Sequence, residues 1–145
     1  MTYNEKLKLL LRYDQLETEI RDQQTMVNRW RSQAERMTPR YGAGGAPSES
    51  AGFTVALEKA LELEKEMERD LEEAKRLYQV ISQGIQDLSS PLQATVLRKR
   101  FLLGYSPEKI ARQLHYDVSY IHKQKKDGIK NLKLSTFVHS DRDKL

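Results

Sequence analysis

Apolar residues recur at alternating spacings of four and three from residue 9 to residue 37, and this periodicity limits the possible folds more than any other feature. Such spacing is typical of a helix in a coiled coil. The seam of such a helix is the line of heptad positions that faces the partner helix. Only the polar Gln23 interrupts it, and Pro39 ends the segment because the residue before a proline disfavours helix. The predicted seam consists of Leu9, Tyr13, Leu16, Ile20, Gln23, Val27, Trp30, Ala34 and Met37.

The same spacing returns over residues 53–88, with Glu64 as the polar interruption. The linking residues 38–52 contain four glycines, which predicts a flexible loop. The loop lacks the G-K-[ST] signature of a phosphate-binding loop. Two long helices joined by a short link favour an antiparallel hairpin over residues 1–89. The second predicted seam consists of Phe53, Leu57, Ala60, Glu64, Met67, Leu71, Ala74, Tyr78, Ile81, Ile85 and Leu88.

Further apolar residues beside both seams predict a wider buried face than a two-helix hairpin can cover. We therefore expect self-association, with a homodimer as the first expectation. The residues expected to oppose one another in the oligomer are Leu9, Leu16, Ile20, Val27, Trp30, Leu57, Met67, Leu71, Tyr78 and Ile81.

Composition argues against several classes of protein. The chain has no cysteine, which excludes disulfides, thiol nucleophiles and zinc fingers and is compatible with the cytoplasm. No apolar run reaches the roughly 20 residues of a membrane span, and the first residues do not resemble a signal peptide. The three histidines, His115, His122 and His139, lie in no metal-ligand or catalytic motif. We expect neither an enzyme nor a cofactor nor a metal site.

Positive charge is concentrated in one segment. Residues 91–133 contain 10 basic and 3 acidic side chains, a net charge of +7, whereas residues 1–90 carry −3. The tail, residues 134–145, is neutral overall. A local basic excess of this size is typical of a surface that binds phosphates, so double-stranded DNA is the expected partner.

Helix-capping patterns divide the basic segment into three short helices. Ser90-Pro91 and Ser106-Pro107 each place a capping serine before a proline that fits the first turn, and Gly104 can end the first helix. A third helix is expected from Asp117 to about Lys133. The fold class predicted for the chain is all-α, a coiled-coil hairpin followed by a helix-turn-helix module over residues 90–133.

Helical spacing directs one group of polar and basic side chains away from the buried face of the last helix. Short polar groups near the start of such a helix suit base edges in a major groove, and basic groups suit phosphates. The predicted base-reading residues are Ser119, Tyr120, His122 and Lys123. The predicted phosphate-binding residues are Arg98, Lys99, Arg100, Lys109, Arg112, Lys126 and Lys130.

These residues resemble the promoter-reading C-terminal domain of bacterial sigma factors over residues 91–133. The whole layout is similar to small prophage transcriptional regulators of the ArpU/RinA kind, and the resemblance implies sequence-specific regulation of phage late genes. The chain departs from the pattern of the family at two positions: it has His115 where glycine is common and Asp117 where serine is common. The promoter-melting part of a sigma factor is missing, which favours an activator or repressor. The matching residues are Leu97-Arg98-Lys99-Arg100-Phe101, Gly104-Tyr105-Ser106, Ile110-Ala111, Leu114, Ile121 and Gly128-Ile129-Lys130-Asn131-Leu132.

Two other functions remain open at the level of the sequence. A small terminase subunit also joins a DNA-binding module to an oligomerising helical stalk, but it would form a ring. A helical adaptor protein would use the basic segment to bind an acidic protein instead of DNA. The position of the basic module at the C-terminus favours the regulator.

Overall fold

A computed structural model describes residues 1–36 and 47–134, and all regular secondary structure in these residues is helical. The all-α prediction is therefore confirmed, as is the pair of long helices. A π-helical turn, Arg98–Leu102, directly follows the third helix. The helices are α1 (Tyr3–Arg36), α2 (Pro47–Gln86), α3 (Pro91–Leu97), α4 (Pro107–Leu114) and α5 (Val118–Asn131).

Residues 47–52, predicted as part of the flexible loop, belong to α2, which begins at Pro47, and residues 38–46 of that prediction lie outside the described residues. Proline fits a first helical turn, where its missing N–H would have no helical partner. A glycine such as Gly52 costs about 1 kcal/mol inside a helix, which a 40-residue helix tolerates. Met37, the last predicted seam residue of the first helix, and Pro39, the predicted end of that segment, lie outside the described residues. The tail beyond Leu134 lies outside them as well.

The structure divides into two compact units, and one of them consists of the described residues between Leu16 and Glu72. Here α1 and α2 run antiparallel. The amide Nε2 of Gln23 donates to Asp70 Oδ2 at 2.8 Å, and Arg31 pairs with Glu64 further along both helices. The polar interruption at Gln23 is thus matched by Asp70.

The seam of α2 differs from the predicted one at alternate positions. Leu77 is 1% exposed and Ile81 is fully buried, whereas Leu71 is 37% and Tyr78 47% exposed. The prediction of Leu71 as a seam residue is wrong, because the neighbouring Asp70 faces α1 at this turn. At the next turn Leu77 is the buried residue, but the ring of Tyr78 still contacts Tyr13 of α1, with the ring centroids 6.2 Å apart. Leucine and tyrosine are adjacent at 77 and 78, so hydrophobicity alone did not fix which of the two is buried.

The other expected oligomer contacts are covered within a single chain. Leu9, Leu16, Val27 and Ile81 are buried in intrachain packing. Ile20, Trp30, Leu57 and Met67 are half-buried. Of the residues expected at an oligomer interface, Leu71 and Tyr78 are the ones left exposed.

The second unit joins residues 1–15 to the chain from Glu73 onward. The ammonium Nζ of Lys6 donates to the carbonyl of Lys130 at 2.9 Å. A Cβ on Gly84 would lie only 2.8 Å from the carbonyl oxygen of Lys133 and 3.1 Å from Leu132 Cδ1, so glycine permits this close approach. The boundary predicted between residues 89 and 90 therefore falls inside a compact unit.

A small apolar core holds α3, α4 and α5 together. Val96, Ile110, Ala111 and Ile121 form its buried centre, and Tyr105 packs against them together with Leu92 and Leu114. Gly128 lets α5 approach α3, because a Cβ there would lie 3.2 Å from two atoms of Leu97. Packing on one side of α5 leaves its opposite face free.

Candidate nucleic-acid interface

Serine caps fix where α3 and α4 begin, as the sequence predicts. The hydroxyl of Ser90 accepts a hydrogen bond from the Gln93 amide, and that of Ser106 accepts from the Lys109 amide, each at 3.2 Å. Each cap satisfies one of the free N–H groups in a first helical turn. The ends of the short helices are therefore set by local sequence.

Asp117 occupies the cap position of α5 but makes no side-chain capping bond, which differs from the prediction. Its backbone carbonyl accepts from the amides of Tyr120 and Ile121, at 3.1 and 3.2 Å, as the carbonyl of a residue at this position ordinarily does. The carboxylate is exposed, so water can solvate it. α5 then ends at Asn131, close to the predicted Lys133.

The turn between α4 and α5 depends on a left-handed residue. His115 has φ 61° and ψ 43°, a conformation that is uncommon for any residue except glycine. The next amide, that of Tyr116, donates to the carbonyl of Ala111 at 3.0 Å and ties the turn to α4. The strained residue places the first turn of α5 directly after the end of α4.

One face of α5 is exposed along its whole length. Its inner side buries Ile121, Gly128 and Ile129. The residues predicted to read bases, and the two predicted phosphate contacts on the same helix, are all exposed, as the helical spacing predicts. They are Ser119, Tyr120, His122, Lys123, Lys126 and Lys130. The structure thus brings the sequence-predicted side chains of α5 onto one accessible surface.

Two lysines that are predicted to contact phosphates, Lys99 and Lys109, lie beside the aromatic ring of Tyr105. Lys109 Nζ lies 3.9 Å from the centroid of the Tyr105 ring, and Lys99 Nζ lies 5.7 Å from it. Lys99 also donates to Gln113 Oε1 at 2.8 Å. Cation–π contacts and a neutral acceptor orient both ammonium groups without neutralising their charge. Tyr105 and Gln113 escaped the sequence prediction, because neither carries a charge.

The π-helical turn contains the Arg98-Lys99-Arg100 run, and the two arginines of this run differ in exposure. Arg98 is exposed, as is Arg112 on α4, but Arg100 is half-buried and its guanidinium lies 5.2 Å from the Phe101 ring. The Nε of Arg100 is buried and has no hydrogen-bond partner. Arg100 and Lys99, both half-buried, are therefore less accessible than the other predicted phosphate contacts.

The basic module has no internal ion pair. Across residues 90–134, all of them described, no basic side chain pairs with an acidic one. The ion pairs Arg12–Glu73 and Lys59–Glu62 involve residues of α1 and α2. A net charge of +7 without ion pairs inside the module creates a positive potential that attracts anions.

One lysine of α5 is held in an unfavourable environment. Partial burial, and secondarily the nearby charge of Arg100, lower the pKa of Lys125 below its ordinary value near 10.5. The protonated form is therefore less stable in the folded chain than in the unfolded one. At neutral pH the charge on Lys125 opposes folding.

Replacing Lys125 with methionine is expected to raise the melting temperature at pH 7 by a few degrees. Methionine keeps the apolar stem and a similar helix propensity but removes the charge. Because the folded pKa is lowered, the destabilisation is complete below that pKa and fades as the pH rises to 10.5. Circular dichroism melts should therefore show the advantage of Lys125→Met shrinking with pH, and the exposed Lys126→Met should show no gain. An equal gain from both variants would contradict this assignment.

Metal-ligand and membrane-spanning features are absent from the described residues. In the described ranges, no three His, Asp or Glu side chains gather as metal ligands would. No helix in these ranges has an apolar stretch long enough to cross a membrane.

Comparison with known proteins gives no relative: no family model, no curated protein and no solved structure matches the chain.

Proposed function

We propose that the protein is a sequence-specific DNA-binding regulator of transcription and not an enzyme. In this proposal α4 and α5 act as a helix-turn-helix, with α5 in the major groove of double-stranded DNA. Ser119, Tyr120, His122 and Lys123 contact base edges, while the other exposed cations contact phosphates. The resemblance to prophage regulators of the ArpU/RinA kind supports a role in phage gene control.

The observation that carries the proposal is the unpaired charge beside an exposed helix. Cations that serve only solubility are commonly interspersed with acidic side chains, whereas phosphate-binding cations remain available. Residues 90–134 form no internal ion pair, and Lys123, Lys126 and Lys130 share the exposed side of α5. A polyanion with regularly spaced phosphates is the partner that this surface suits best.

Self-association through α2 belongs to the same proposal. Leu71 and Tyr78 are exposed, and seven residues apart they lie on one face of α2. A homodimer would present two α5 helices to a palindromic site, and host RNA polymerase is the alternative partner for this face. The proposed role places the protein in the cytoplasm. A solution mass of eight or more protomers would instead favour a DNA-packaging subunit.

Selection of duplexes from a random pool by the full chain at about 150 mM salt tests the proposal, because nonspecific electrostatic binding is weak there. We expect a defined motif to be enriched. His122→Ala and Ser119→Ala are expected to relax the base preference at separate positions, each at a cost of about 1–3 kcal/mol in discrimination.

Ser89→Ala provides the matched control, since Ser89 is exposed but lies outside α5. It should leave the selected motif unchanged. If no duplex is enriched, the proposal is wrong and an adaptor role becomes the better interpretation. If the α5 variants select the same motif as the natural chain, α5 is not the helix that reads the bases.

A further inference from the structure

We propose that Tyr116 and Tyr120 together form an apolar contact for the 5-methyl group of thymine in the major groove. This inference rests on the proposed function and assigns one base that the module reads. It also adds Tyr116, a residue of the turn, to the reading surface. The observation behind it is a pair of stacked and exposed aromatic rings at the start of α5.

The backbone holds both tyrosines in place before any ligand binds. The Tyr116 amide is bonded to the Ala111 carbonyl of α4 at 3.0 Å, and the Tyr120 amide to the Asp117 carbonyl at 3.1 Å. The left-handed conformation of His115 sets the direction of the turn from α4 to α5, which carries Tyr116. The positions of the two rings are therefore fixed by the turn and by the first turn of α5.

The rings contact each other and remain open to solvent. Their centroids are 4.9 Å apart with an interplanar angle of 46°. Tyr116 is 46% and Tyr120 38% exposed, so a large part of each ring still faces water. An aromatic pair in a core would lose this exposure. The contact between the rings of Tyr116 and Tyr120 therefore belongs to the surface and not to the core.

Thymine is the base whose chemistry suits such a surface. Its 5-methyl group is the one apolar group that a base pair presents in the major groove, and side chains read it by apolar contact. Lys123, three residues after Tyr120 on α5, is its neighbour on the helix surface and is exposed, and the exposed hydroxyl of Ser119 lies on the same first turn. The start of α5 thus combines a rigid apolar patch with polar contacts for neighbouring bases.

Uracil substitution isolates the methyl group, because deoxyuridine keeps every hydrogen-bonding group of thymidine. Starting from duplexes selected by the full chain, each thymine is replaced in turn and affinity is measured by fluorescence anisotropy. At one or two positions we expect the natural chain to lose roughly three- to fivefold in affinity, the effect of one buried methyl group. Tyr116→Ala and Tyr120→Ala should bind the thymine and uracil duplexes equally at those positions.

Tyr116→Phe retains the ring and should retain the full difference between thymine and uracil. Leu103→Ala is the matched control, because Leu103 is an exposed apolar residue of the same module at 52% exposure. It too should leave the difference unchanged, and far-ultraviolet circular dichroism verifies that each variant is helical.

Three outcomes would overturn the inference. Uracil could have no effect at any position of a tightly bound duplex, or the effect could persist in both alanine variants, which would assign the rings to another role such as contact with a protein. In either case DNA binding itself would stand. If no duplex is selected at all, the proposed function fails first and the inference fails with it.

Discussion

Leu77→Asp is expected to unfold the protein, whereas Leu71→Asp is expected to leave it folded. Leu77 is 1% exposed in the seam of α2, so aspartate there removes a buried side chain and leaves a carboxylate without a partner. The two effects together should lower the free energy of unfolding by about 4 kcal/mol or more. Leu71 is 37% exposed, and a carboxylate at its position remains hydrated.

Urea denaturation followed by circular dichroism measures both changes. For Leu71→Asp, the midpoint should move by the amount typical of a surface substitution, about 0.5 kcal/mol in free energy. Equal destabilisation by both variants would contradict this expectation and would support the sequence-based prediction that Leu71 is a seam residue. A reduced solution mass in the folded Leu71→Asp variant would support self-association through the exposed face of α2.

Replacing Lys123, Lys126 and Lys130 together with alanine is expected to remove most of the affinity for DNA. Lys126 and Lys130 are the two assigned to phosphates, and each phosphate contact contributes about 0.9 to the slope of log binding constant against log salt concentration, so the slope should become shallower by about 1.8. If affinity at 1 M salt is unchanged, this slope corresponds to a loss of about 60-fold at 0.1 M salt. The three side chains are exposed, so the fold should persist.

A second triple variant, Lys8→Ala with Lys59→Ala and Lys65→Ala, changes the net charge by the same amount in α1 and α2. All three lysines are exposed and lie outside the basic module. If affinity depends on the surface of α5 and not on overall charge, this control should retain nearly the natural slope. Equal losses in both triple variants would contradict the assignment of α5 as the DNA-binding helix.

Local sequence rules were sufficient for the helices and for their ends. The serine caps at Ser90 and Ser106, the positive φ of Gly104 and the exposed face of α5 all follow from residues within a few positions of one another. Such features depend on hydrogen bonds and steric limits inside one segment. For this reason the composition of the candidate interface could be predicted without the tertiary structure.

Long-range packing decided the features that the sequence left open. Burial of Leu77 and not of Tyr78 depends on residues far apart along the chain. The same holds for the contacts of Lys6 with the Lys130 carbonyl and of Gly84 with Leu132. Asp117 has the residue type and the position of a side-chain cap, but its carboxylate makes no capping bond to α5.

The sequence by itself determined that the chain is helical, that its positive charge lies in residues 91–133 and that one side of the last helix is polar and basic. These properties follow from periodicity and from local capping. Only the tertiary structure decided that the cations form no ion pair inside the module and that the rings of Tyr116 and Tyr120 contact each other at the surface. Both depend on which side chains meet once the helices pack, and a linear spacing does not contain that information.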